Sequence, residues 1–143
     1  MTVNFLADSS ALTLLLPDLD DRHGMNQTID AGLVGICDVT ELELLYTARS
    51  AADRAIILRS LNLAYAWVPV PDSVYSRARE VQHALTNRGE HRAPGVVDLL
   101  IAATAELTER TLLHRDHDFE TIARCTGQPT LFLGPPPSSD PGP

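Results

Sequence analysis

Five carboxylates stand where a folded chain would carry acids to one edge of a sheet. Asp8 directly follows the apolar run Val3 to Ala7, and Glu43 lies in the first turns after the apolar run Leu33 to Cys37. Asp98 opens the most apolar segment of the chain, and Asp116 and Asp118 follow the run Thr111 to His114. Acids gathered in one cavity repel one another unless a cation sits among them. Carboxylate oxygens without thiol or histidine partners at ligand spacing suit a hard cation, Mg²⁺ or Mn²⁺, and not zinc. The chemistry this suggests is phosphodiester hydrolysis, in which a metal lowers the pKa of a water, aligns it for in-line attack and neutralises the leaving oxygen.

Each acid has a structural alternative. Asp8 before a helix is an N-cap. Glu43 is the fourth residue of Thr40-Glu41-Leu42-Glu43, a capping box that would reach back to the Thr40 backbone. Asp98 would cap the first turn of its helix, although an ionised carboxylate within Val96-Val97-Asp98-Leu99-Leu100-Ile101 pays heavily for desolvation unless paired or metal-bound. Asp116 and Asp118 would start the next helix. His114 and His117 flank an acid but read as strand-end and helix-start residues, outside the catalytic set.

The elements that must position these residues alternate in type. Short apolar runs at Val3 to Ala7, Leu33 to Cys37, Thr111 to His114 and Thr130 to Leu133 read as buried parallel strands. Helical periods run over Ala11 to Leu16, Asp38 to Arg49, Ala51 to Leu61, Asp72 to Arg88, Val96 to Leu107 and Phe119 to Cys125, with Leu42, Leu45 and Tyr46 taken as the apolar face of the second. Strand-helix alternation predicts an α/β fold with helices on both faces of a mostly parallel sheet of four to five short strands. Ligands bind such sheets beyond the carboxyl ends of the strands, which is where the acids fall.

The chain has 143 residues, enough for one domain, here taken as residues 1–133. The remaining segment, 134–143 (GPPPSSDPGP), holds five of the ten prolines and is expected to be disordered. All 11 basic residues are arginine, which excludes Walker-type phosphate loops, Schiff-base chemistry and receiver domains. A net charge of −8 argues against broad affinity for nucleic acid or anionic lipid, leaving approach to phosphate through bound metal. Cys37 and Cys125 read as free buried thiols. No apolar stretch approaches the roughly 18 to 20 residues that span a bilayer, and the N-terminus lacks a basic signal region, so a cytoplasmic protein is expected.

The motifs together resemble a known family. Leu6-Ala7-Asp8-Ser9-Ser10-Ala11-Leu12 is similar to the opening of PIN-domain ribonucleases, and Thr40-Glu41-Leu42-Glu43-Leu44-Leu45-Tyr46 to the second acidic motif of VapC toxins. Val97-Asp98-Leu99-Leu100-Ile101-Ala102-Ala103 resembles their third motif and His114-Arg115-Asp116-His117-Asp118-Phe119 their fourth. The resemblance implies a three-layer α/β/α PIN domain and the toxin of a VapBC toxin–antitoxin pair. By the same resemblance it would be an Mg²⁺-dependent endoribonuclease (Mn²⁺ substituting) that cuts structured RNA such as tRNA. It implies Asp8, Glu43, Asp98 and Asp116 as catalytic acids, with Asp8, Asp98, Asp116 and Asp118 on the metal. Ser10, beside the first aspartate, is expected to bond to Asp8 or to a phosphate-bound water.

Arg92 and Arg115, adjoining the third and fourth motifs, are candidates for holding substrate phosphate. Four arginines between Arg77 and Arg92 read first as a solvated helix face. Trp67 is expected in the core or a subunit contact. Implied partners are RNA, a VapB-type antitoxin and a second copy of the chain, with the segments Ala11 to Leu16 and Leu42 to Tyr46 read either as a groove for an antitoxin helix or as ordinary core packing. The alternative is a catalytically silent PIN-like module that binds RNA or protein. A haloacid dehalogenase-type phosphatase is discounted, since Ser10 stands where its second aspartate belongs and lysine is absent.

Overall fold

The structure, a computed structural model, describes residues 3–134. Positions 135–143 of the proline-rich segment lie outside the described residues. The elements are β1 (Phe5–Ala7), α1 (Ser9–Leu15), α2 (Asn26–Asp30), β2 (Val34–Ile36), α3 (Asp38–Leu45), α4 (Ala51–Ala64), β3 (Ala66–Trp67), α5 (Val74–Asn87), α6 (Val96–Leu107), β4 (Thr111–His114), α7 (His117–Thr126) and β5 (Thr130–Phe132). The strands form one sheet in the order β3-β2-β1-β4-β5, parallel at every pairing.

Alternation along the strands divides the interior into two layers. Leu6 of β1 and Leu112 of β4 point into a cluster with Val81 and Leu85 of α5, Ile101 and Ala105 of α6, and Phe119 and Ile122 of α7. Their neighbours Ala7 and Leu113 point to the opposite face, against Leu12 and Leu15 of α1, Ile29 of α2, Leu44 of α3 and Leu61 of α4. A period of two is therefore present in strands that read as uniformly apolar, because both faces are covered. The expected three-layer α/β/α architecture is present, with five strands.

The order also fixes where a ligand site belongs. From β1 the chain moves to β2 on one side, while β4 occupies the other side, so the crevice of reversed winding opens at the carboxyl ends of β1 and β4. Asp8 and Asp116 stand there.

Several boundaries differ from the sequence reading. The two-residue β3 and the short α2 carry too few residues to show a period. Before α2, the buried Asp18 carboxylate accepts the backbone N–H groups of Arg22 and His23, each at 2.9 Å, folding the connection without apolar signal. Helix α3 stops at Leu45 because Ser50 caps a new helix, accepting Asp53 N–H at 3.0 Å. Trp67 is 52% exposed and is not a core residue; Tyr65 and Val68, its neighbours, are buried instead. Gly35 lies where β2 meets Val68: a Cβ there would stand 2.5 Å from Val68 Cγ2 and 3.0 Å from Val3 Cγ1. No described helix is long and apolar enough to cross a membrane.

Candidate active site

Asp8 leaves β1 in extended conformation and caps α1, its Oδ1 accepting the Ala11 N–H at 3.0 Å. It is almost wholly buried. Both its oxygens also accept from Ser10 Oγ, at 2.7 and 2.8 Å. Burial pushes the Asp8 carboxyl above its ordinary value, against the pull of the Ser10 and Ala11 hydrogen bonds. Ser10 Oγ in turn accepts the Arg115 N–H at 2.8 Å, which ties the end of β1 to the turn after β4.

Asp98 sits at the third position of α6, where its Oδ2 accepts the Gly95 N–H at 3.1 Å. Its carboxyl is pushed up to about 6, first by burial and then by the negative charges of Asp116, Glu43 and Asp118; the Gly95 N–H opposes the shift. Asp116 caps α7, Oδ1 accepting the Asp118 N–H at 2.9 Å. Asp118 is raised as well, by desolvation and by Asp116.

Asp98, Asp116 and Asp118 each place a carboxylate oxygen so that all three lie within 4.8 Å of one another. Two elements, α6 and the start of α7, thus converge on one point. Asp8 and Glu43 are not members of this trio. Glu43 is near enough to raise Asp98, and it accepts a hydrogen bond from the Ser9 hydroxyl across to α1. The proposed Thr40 capping box is absent: α3 begins at Asp38, and Thr40 is buried inside it. For Asp8, Asp98 and Asp116, capping and membership of an acidic site are not competing roles. The carboxyl ends of β1 and β4 abut helix starts and α6 begins beside them, so a capping carboxylate at Asp98 or Asp116 can give one oxygen to backbone while the other faces the neighbouring acids.

Arg92 is exposed in the turn before α6, and Arg115 is partly buried beside Asp116; neither side chain has a partner among the described residues. By contrast Arg77 pairs with Glu80 and with Glu106 of α6, and Arg88 with Glu90, so these two arginines are already neutralised within the protein. The apolar face assigned to α3 is corrected. Leu42 and Tyr46, one turn apart, are 68% and 91% exposed, whereas Leu44 and Leu45 enter the core. For Ala11 to Leu16 the structure favours core packing over a groove, since Ala11, Leu12 and Leu15 are core residues.

Two contributors went unread in the sequence. Ser9 holds Glu43, and its only signal was adjacency to Asp8. His114, set aside as a strand-end residue, is fully buried and hydrogen-bonded on both ring nitrogens.

Comparison with known proteins gives the family and the fold. Residues 5–124 match the PIN domain. Ribonuclease VapC21 of Mycobacterium tuberculosis is 39% identical over 137 residues, covering 95% of this chain and 98% of its own. The chain belongs to the PIN-domain family of VapC ribonucleases. Ribonuclease VapC2 of the same organism is 42% identical over 136 residues, covering 94% of this chain and 96% of its own length. Among solved structures, DNA-bound VapBC from Salmonella typhimurium superposes with a TM-score of 0.75 at 16% identity, covering 92% of this chain and 99% of that chain. VapBC2 from Rickettsia felis bound to promoter DNA gives 0.73 at 15% identity, covering 94% and 100%. These likenesses show the fold. PIN nuclease domains depend on divalent metal, and the trio's chemistry, three oxygen donors with two carboxyls held above their ordinary values, fits a hard cation.

Proposed function

We propose that this protein is the toxin of a toxin–antitoxin pair, an endoribonuclease that hydrolyses phosphodiester bonds in structured RNA such as tRNA and is silenced by a VapB-type antitoxin. The observation that carries the reading is the meeting of Asp98, Asp116 and Asp118 within 4.8 Å, at the crevice of the sheet and in a family of ribonucleases. In this reading the trio holds Mg²⁺, or Mn²⁺ in its place. A divalent cation there supplies Lewis acidity toward water and toward the charged oxygens of a phosphodiester.

The chain's own residues set the rest. Asp8, kept in place by Ser10 and Ala11, extends the negative wall on the β1 side. Glu43, held by Ser9, completes it from α3. Ser10 spends its proton on Asp8 and a lone pair on Arg115 N–H, which makes it a positioning residue more than a substrate donor. Arg92 and Arg115 grip phosphates on either side of the acids. Residues 1–133 form the catalytic unit, acting in the cytoplasm as a homodimer or bound to antitoxin. The exposed Leu42 on α3, the helix that carries Glu43, and Tyr46 just after it support an antitoxin contact close to the acids.

The test is cleavage of purified tRNA and total RNA by the full chain with Mg²⁺, compared with EDTA and with Asp116→Asn. Cleavage that needs both metal and Asp116 supports the reading. Binding of RNA without cleavage under all conditions would replace it with a silent PIN-like module.

A further inference from the structure

His114 closes β4 with its side chain wholly buried, behind the acids and outside the set assigned to them. Its ring is packed by Phe119, centroids 5.2 Å apart and tilted by 52°, and by Phe132 edge-on at 5.6 Å. Both nitrogens are engaged. Nδ1 faces the backbone N–H of Asp116 at 3.2 Å, and Nε2 lies 2.9 Å from Glu120 Oε1. The same Glu120 oxygen accepts from Thr130 Oγ1 at 3.1 Å.

These contacts decide where the ring proton sits. A backbone amide can only donate, so Nδ1 must offer its lone pair. The neutral imidazole then carries its proton on Nε2, where Glu120 accepts it. The opposite tautomer would set two N–H groups against each other at Asp116 and leave Glu120 facing a lone pair. From β5 the contacts run Thr130, Glu120, His114, Asp116 and Asp118, ending at the acidic trio.

We infer that His114 is a positioning residue: held by Glu120 as the Nε2–H tautomer, it fixes the Asp116 backbone and so the direction in which the Asp116 carboxylate meets Asp98 and Asp118. The role resembles that of outer partners at metal sites, which orient the groups that bind the ion without touching it. It rests on the metal reading proposed above for its consequence, while the tautomer and the Asp116 contact stand on geometry alone. Glu120 can serve because it lies one turn inside α7, whose first cap is Asp116 itself; the clamp and the acid it aims belong to one helix start.

Two substitutions separate orientation from packing. His114→Asn puts an amide oxygen where Nδ1 stands and keeps an acceptor for Asp116 N–H. His114→Gln reaches the Nε2 position and leaves that N–H without a partner. Mn²⁺ affinity of the full chain, read by electron paramagnetic resonance, is expected to stay within about threefold of wild type in the Asn variant and to fall about tenfold or more in the Gln variant. Exchange of the Asp116 amide is expected to be slow in wild type and the Asn variant and at least about tenfold faster in the Gln variant. Long-range ¹H–¹⁵N spectra of the wild-type ring are expected to show a protonated Nε2 and a bare Nδ1. Glu120→Ala, at a partly exposed side chain that the fold can spare, is expected to lose that single tautomer.

A proton on Nδ1, equal losses in the Asn and Gln variants, or a folded Gln variant with wild-type affinity and exchange would each overturn the inference. If a His114 variant does not fold, the Glu120→Ala spectrum decides it, an unchanged tautomer counting against. If the wild-type chain takes up no Mn²⁺, the metal reading fails, and the tautomer and the Asp116 exchange rates still judge the clamp.

Discussion

Ser10 and Arg115, 105 residues apart in the chain, are joined by a 2.8 Å hydrogen bond from the Arg115 N–H to the Ser10 hydroxyl. That hydroxyl is the donor to Asp8, so a single oxygen couples the first acid of the sequence to the segment carrying the last two. Ser10→Ala would leave the Arg115 N–H unpaired and strip the chief hydrogen bond that offsets burial at Asp8. We expect a stability loss of about 1–3 kcal/mol in chemical denaturation and a further rise of the Asp8 carboxyl. RNA cleavage should drop about tenfold. Unchanged stability would show that the bridge contributes nothing.

Asp98 makes a prediction about pH. Its carboxyl is raised in the folded chain, so the folded state holds a proton more tightly than the unfolded one. Stability from this group is highest below the ordinary aspartate value, falls as pH climbs toward about 6, and stays low above it. Asp98→Asn keeps an oxygen for the Gly95 N–H and removes the charge. In EDTA the variant should melt higher than wild type at pH 7.5, the gap closing as pH falls through 6 toward 4. A variant less stable at pH 7.5 would contradict the cause assigned to the shift.

Cation loading should reverse that ranking. Mn²⁺ at a hundred times its dissociation constant would stabilise the wild-type chain by about 2.7 kcal/mol and the Asp98→Asn or Asp116→Asn chains much less. Thermal melts across a Mn²⁺ titration check this. Equal stabilisation of all three would place the ion elsewhere.

Arg92 and Arg115, which have no ion-pair partner among the described residues, should act on substrate and not on the fold. Arg92→Ala and Arg115→Ala are each expected to raise KM for RNA several-fold and to weaken its salt dependence, with melting temperature changed little. Steady-state cleavage at several salt concentrations separates this from a loss of kcat.

Gly35→Ala tests the packing of β2. With Val68 Cγ2 at 2.5 Å from the added carbon, β2 and the segment after β3 must shift, at a cost of about 1–3 kcal/mol. Denaturant midpoints should fall, while cleavage per folded molecule stays near wild type.

Much of the architecture was legible because its elements carry strong patterns. Helix α6 reads directly from an apolar run with one acid at its head, and α5 from Val74, Ala78, Val81 and Leu85 at helical spacing. Asp8, Asp116 and Asp118 were legible because a parallel sheet delivers the ends of β1 and β4 to one edge, and Asp98 because an acid at the head of so apolar a helix stands out. The outward face of α3 was not, since Leu42 and Tyr46 show the same spacing as a core stripe and only the packed neighbours decide which side is covered. Nor was the division of the acids into the trio and the Asp8 and Glu43 flanks. That depends on side-chain bonds to Ser9 and Ser10, which no periodicity encodes.

Asp98 gives one oxygen to the Gly95 amide, Asp116 gives one to the Asp118 amide, and the three carboxylates meet a few ångströms away. Occupancy of the site and order at the first turns of α6 and α7 therefore draw on the same two carboxylate groups and are thermodynamically reciprocal. Whatever neutralises the pocket quiets those two turns, and whatever frays them weakens its hold on charge.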